Sequence, residues 1–253
     1  MKKQSKVKRL LGGVHPAVIS VWAALMAAAH MLPAIVLVGV GGTMSVSAIL
    51  IPLAGIFFGP VAGPICVAIG QSIGYLIAPS GAWLGVFTPL IGVCTSVCTG
   101  LTSRGKGPVA VAISTGAVLL WYTNSIGRKA WLFGLTFGCS GVVFLLISCF
   151  ICKKFLLSNN VVKKAISVWC VSAGGMFTSS LYADVVTLIL YKTPAISWKV
   201  LAFTAPVERF IFATAATIIA VPLLLALPKI GIFVGPQPDN ASDAEEEPET
   251  DAV

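Results

Sequence analysis

Asp184, Glu208 and Arg209 are the formal charges that lie inside long apolar stretches of this chain. A charged side chain at mid-span in a bilayer costs about 2.5–3.5 kcal/mol on insertion scales, which makes each a functional candidate. Gln71 joins them, with Ser72 and Tyr75 near it, as do Asn124 beside Trp121 and Tyr122, and His30 just before Pro33. At about 1.5 Å of rise per residue, Asp184 lies roughly 10 Å below the outer end of its run. The others also fall in the outer halves of theirs, whereas the inner halves offer only Ser, Thr, Cys, Ala and Gly. A pocket open to the outside and closed below would give these groups partners. Trp83, Trp121, Tyr122, Trp131 and Tyr182 are available as its walls, in the usual pattern of an apolar cavity with a few placed polar groups.

The chemistry implied is binding rather than catalysis. No GxxxxGK[ST] and no HExxH occurs, and Arg104-Gly105-Lys106-Gly107 is only a basic turn. There is no paired-carboxylate set, and neither His15 nor His30 has a catalytic neighbour. The seven cysteines contain no CxxC pair and read as buried and reduced; Cys94 and Cys98 share a helix face as packing. No catalytic residue, metal site or cofactor is therefore expected. Blander roles stand beside the pocket. Glu208 and Arg209 point about 100° apart on a helix, so one of them can instead form a structural ion pair with Asp184. His30 reads equally as a hydrogen-bonded interior group, and Trp83, Trp131 and Trp198 as anchors of an interfacial belt.

The elements that position these residues follow from composition. Of 253 residues, 57% are hydrophobic and 10% charged, against about 45–50% and 25% in soluble domains. Apolar runs near 17–38, 46–58, 61–77, 83–102, 108–124, 131–152, 166–191 and 203–227 predict an all-α polytopic transmembrane bundle of about eight segments, with six and seven spans as variants. The second run is short and ends at Gly59-Pro60, so runs two and three form either a re-entrant hairpin or two short, tilted helices.

Charge orients the bundle. Seven of the nine acids lie in the last fifteen residues, leaving a body of formal charge +15 and a tail of −7. With the N-terminus inside, twelve basic residues fall on the inner side and four outside (Arg128, Lys129, Lys192, Lys199), which puts both termini in the cytoplasm. The basic residues sit at the ends of apolar runs, so the net charge of +8 is no nucleic-acid signature. Residues 1–16 read as a basic cytoplasmic N-terminus, 17–230 as the transmembrane domain and 231–253 as a disordered acidic tail. A cleaved signal peptide is the competing reading of the first run, and it breaks the alternation of sides.

The first run also carries Ala23, Ala24, Ala27 and Ala28, small residues at i, i+4 that let a second helix approach closely. That face serves either internal packing or the docking of a partner subunit.

The stretch Ile51-Pro52-Leu53-Ala54-Gly55-Ile56-Phe57-Phe58-Gly59-Pro60-Val61-Ala62-Gly63-Pro64, continuing to Ile69-Gly70-Gln71-Ser72-Ile73-Gly74-Tyr75, resembles the second and third helices of the substrate-binding S components of energy-coupling factor (ECF) transporters. Gln71 stands where that family often has an acid. Ala205-Pro206-Val207-Glu208 through Leu227 resembles the family's last helix, and the alanine face its small-residue docking motif. Against that family this chain has about two extra spans, around 108–152. The resemblance implies capture of a small, vitamin-like solute from outside. It also implies docking on a transmembrane scaffold subunit driven by two cytoplasmic ATPases, in the plasma membrane and without nucleic acid. An ion-coupled secondary transporter using Asp184 or Glu208 is the alternative, and a membrane assembly protein a third reading. The chain shows no clear internal repeat, which counts against a pseudo-symmetric transporter.

Overall fold

The computed structural model describes residues 14–33, 35–36, 43–82, 84–230 and 234–236. The basic N-terminus, Trp83 and the acidic tail lie outside the described residues. The chain is an all-α bundle in which five helical segments are long and apolar enough to cross a membrane, with two shorter apolar helices beside them. It is a multi-pass membrane protein.

Helix α1, Pro16–His30, starts with proline at its first position and with His15 as cap, whose Nδ1 accepts from the Ala17 N–H at 3.2 Å. It stops at His30 instead of running to residue 38, because Pro33 follows within three residues. At 15 residues it is shorter than a full span, about 22 Å long. A two-stranded hairpin, β1 Ile35–Val36 against β2 Thr43–Met44, follows it, and then a 3₁₀ turn over Val46–Ile49.

Helix α2, Ile51–Ile77, settles the question of runs two and three. Gly59 sits at φ 83°, ψ −172°, a backbone region that is essentially open to glycine alone. The chain folds back there into two arms. A Cβ placed on Gly63 would lie 2.6 Å from the Ala54 carbonyl oxygen, so the arms touch backbone to backbone. The first arm, 51–58, is about 12 Å long and covers only part of the bilayer thickness.

The remaining helices run α3 Thr88–Ser103, α4 Gly107–Thr123, the short α5 Ser125–Lys129, α6 Trp131–Leu156 with a π turn over Gly134–Gly138, α7 Val161–Tyr191 and α8 Ala195–Ala226. Asn160 caps α7 by accepting from the Val162 and Lys163 N–H groups. Helix α7 is the central rod, packed by α3, α4, α6 and α8.

Glycine sets the spacing around the α2 turn. A Cβ on Gly100 of α3 would fall 2.7 Å from the Gly59 carbonyl carbon, and one on Gly55 would meet Thr99 and Ser96. The hairpin tip is thus held against α3. It is tied further by Arg104 Nη2 and the Gly235 N–H, which both donate to the Phe57 carbonyl oxygen, at 3.3 and 2.9 Å. Trp22 of α1 meets Phe57 and Phe58 edge-on at 5.3 and 5.8 Å, contacts worth about 0.5–1.5 kcal/mol each beyond their burial. Trp121, Phe133, Phe137 and Trp198 form a second aromatic core toward the other end. Trp198 is wholly buried there, edge-on to Trp121 at 5.0 Å and not at an interface, whereas Trp131 is exposed as an anchor would be.

Candidate functional site

The half of the bundle where α1 ends holds a cavity of about 60 Å³, bounded by five helices and the 3₁₀ turn, which is room for a few water-sized groups. His30 reaches it from the end of α1, where the halt before Pro33 exposes the last turn. Ser45 and Ser47 enter from the 3₁₀ turn, Ile51 from the start of the first α2 arm and Gln71 from the second arm. Thr88, Ile91, Gly92 and Thr95 come from the first two turns of α3. The far wall is Met176, Ser179 and Ser180 of α7 with Arg209 and Phe212 of α8. Gly92 is required where α3 meets α2, since a Cβ there would sit 2.9 Å from Val67 and 3.3 Å from Ile51.

Two hydrogen-bonded groups line the walls. Ser47 Oγ accepts from Gln71 Nε2 at 2.9 Å and lies 2.9 Å from His30 Nδ1, while its backbone N–H donates to Ser45 Oγ. Across the cavity Thr95 Oγ1 donates to Ser179 Oγ at 2.6 Å, and Ser179 in turn reaches the Met176 carbonyl. His30 is only 3% exposed, yet its Nε2 has no hydrogen-bond partner. Buried polar atoms are nearly always paired, so an unpaired one on a residue that lines a cavity marks a place for a ligand.

Three of the sequence candidates, His30, Gln71 and Arg209, meet in this cavity. Asp184 does not line it. It is buried one turn beyond Ser180 on the same face of α7 and interacts electrostatically with Arg209, as does the half-buried Glu208. The two acids act electrostatically on the guanidinium, and Arg209 borders the cavity.

Other candidates fall elsewhere. Tyr75 is half-buried on the second α2 arm, away from the lining. Asn124 caps α5 by accepting from the Ile126 N–H at 2.9 Å. Trp121 is wholly buried in the aromatic core, since its ring faces Phe133 and Trp198. The Tyr182 hydroxyl donates to the Ile113 carbonyl at 2.8 Å, and its ring borders a separate, almost wholly apolar cavity between α3, α4 and α7. The docking face divides as well. Ala23 and Ala27 are buried; Ala23 packs on Gly70 of α2, so they serve internal packing. Ala24 and Ala28, a hundred degrees further round the helix, are exposed.

The lining residues that went unnoticed in the sequence are the hydroxyls Ser45, Ser47, Thr88, Thr95, Ser179 and Ser180. A spacing cue existed for one of them, because Ser180 precedes Asp184 by four and shares its face. The rest are indistinguishable in sequence from serines and threonines that bond their own helix, as Thr102, Thr115 and Thr187 do.

No family model matches the chain, and no solved structure does. An uncharacterized protein of Methanocaldococcus jannaschii is 24% identical over 143 residues, 56% of this chain and 47% of that protein. The chain thus spans about half the length of the curated relative it matches.

Proposed function

We propose that this chain is the membrane-embedded capture subunit of an ECF-type uptake transporter. It takes a small, vitamin-like solute from the outer side of the plasma membrane, with both of its termini in the cytoplasm. It then delivers the solute by docking on a transmembrane scaffold subunit powered by two cytoplasmic ATPases. The observation that carries this reading is the cavity itself. It is lined by His30, Gln71, Arg209 and six hydroxyls and closed on one side by the α2 hairpin packed on α3, and in this reading it opens outward. The exposed Ala24 and Ala28 leave α1 a small-residue strip for the scaffold. The chain performs no reaction of its own in this reading, and ATP is hydrolysed by its partners.

Mass spectrometry of small molecules co-purifying with the protein tests the capture step. The docking step is tested by Ala24→Leu with Ala28→Leu, which should spare solute binding and abolish uptake in cells. Uptake surviving both changes would remove α1 as the docking face.

One observation favours the ion-coupled secondary transporter as a second reading. Below the cavity, buried Ser96, Thr99, Thr102 and Ser103 continue a hydroxyl seam along α3 toward the inner side, beside the broken helix α2, and broken helices at mid-membrane mark many secondary transporters. Gradient-driven uptake into vesicles containing this chain alone would establish that reading over the first.

A further inference from the structure

Resting on the capture reading, the polar inventory of the cavity narrows the class of solute. The Ser47 hydroxyl carries one proton. Its oxygen already accepts from Gln71 Nε2, and the acceptor within reach of its own proton is His30 Nδ1 at 2.9 Å. With the Gln71 amide nitrogen turned to Ser47, Ser47 donates to Nδ1 and the ring proton sits on Nε2. That Nε2–H is the buried group without a partner. His30 thus offers a hydrogen-bond donor, and a ligand satisfies it only with an acceptor.

Formal charge excludes both kinds of ion. Among the described residues Arg209 is the charged one on the lining, and none of the acids lines the cavity. Its charge is already answered by Asp184 and Glu208, which act on it from outside the lining. A carboxylate solute would leave an unbalanced negative charge in a low-dielectric site. An ammonium solute would face Arg209 with no carboxylate turned toward it. We propose that the cavity binds a neutral solute through a carbonyl-type acceptor held by His30 Nε2–H, and rejects both acidic and cationic analogues.

Three probes of one shape, each small enough for the cavity, test this on the purified full-length protein: acetamide, acetate and acetamidinium, followed by thermal shift and calorimetry at neutral pH. Acetamide should bind at least tenfold more tightly than either ion. His30→Leu should weaken acetamide at least tenfold, and His30→Gln, which keeps an N–H donor, should recover most of that loss. If His30→Leu fails to fold, Ser47→Ala serves in its place. It removes the hydroxyl proton that directs the tautomer and should weaken acetamide several-fold. Acetate or acetamidinium binding as tightly as acetamide would overturn the neutral-solute proposal while leaving capture standing. No binding of acetamide also overturns it, and if in addition no solute co-purifies, the capture reading falls with it.

Discussion

The α2-turn end and the cavity end of the bundle are built from the same helices but solve different problems. At the α2 turn, helices approach until glycine is the only residue that fits, as at Gly55, Gly63 and Gly100. The Phe57 carbonyl is bonded twice, and Trp22 packs edge-on over the phenylalanines of the hairpin. At the cavity end, α1 ends early and the chain re-enters through a 3₁₀ turn, leaving a cavity beside a buried ring nitrogen without a partner. The difference teaches a separation between close backbone packing at the α2 turn and polar atoms left for a ligand at the cavity. The aromatic core around Trp121 holds the helices beside the cavity by side-chain packing instead.

Changes at either end test that separation. The largest effect should come from Asp184→Asn, which leaves Arg209 buried with one acid removed. Breaking a buried ion pair costs about 3–5 kcal/mol, and the remaining Glu208 should hold the loss near the lower end. Thermal unfolding in detergent checks the stability, and solute binding should fall in parallel. Unchanged stability and affinity would detach Asp184 from the site. Gly59→Ala should come next. The substitution forces a side chain into a region that costs about 1–3 kcal/mol, with Arg104 Nε only 3.1 Å from the new Cβ. It should lower the unfolding temperature but leave the affinity of the protein that remains folded within twofold; a larger drop in affinity would show that the ends are coupled. The smallest effect should come from Ser96→Ala. Its hydroxyl is buried and unpartnered beneath the cavity, so its removal should be neutral or stabilising by up to about 1 kcal/mol. Clear destabilisation would mean that the hydroxyl seam is bonded through water, and would strengthen the reading of a path below the site.

Much of the fold was legible. Eight apolar runs became the expected segments, and Gly59-Pro60 marked a reversal that the backbone makes there. Half the site was not. His30, Gln71 and Arg209 stood out because strongly polar groups are rare in apolar runs, and Asp184 for the same reason, though it acts from behind Arg209. Asn124 and Trp121 were polar or aromatic at the right depth but on faces turned to a cap and to a core. Depth can be counted along a chain; the direction in which a residue faces depends on the rotation of each helix against its neighbours.

What the sequence alone determined is therefore one-dimensional: membrane residence, segment number, the point of reversal in α2 and the depth of each rare polar group. These depend on local transfer free energies and on backbone conformations open only to glycine and proline. The tertiary structure decided which of those groups share a cavity, that Ala23 and Ala27 pack inward while Ala24 and Ala28 face out, and that ordinary hydroxyls make up most of the polar lining. Each of those depends on how helices distant in sequence are rotated and packed together, and that is set jointly by all the contacts between them.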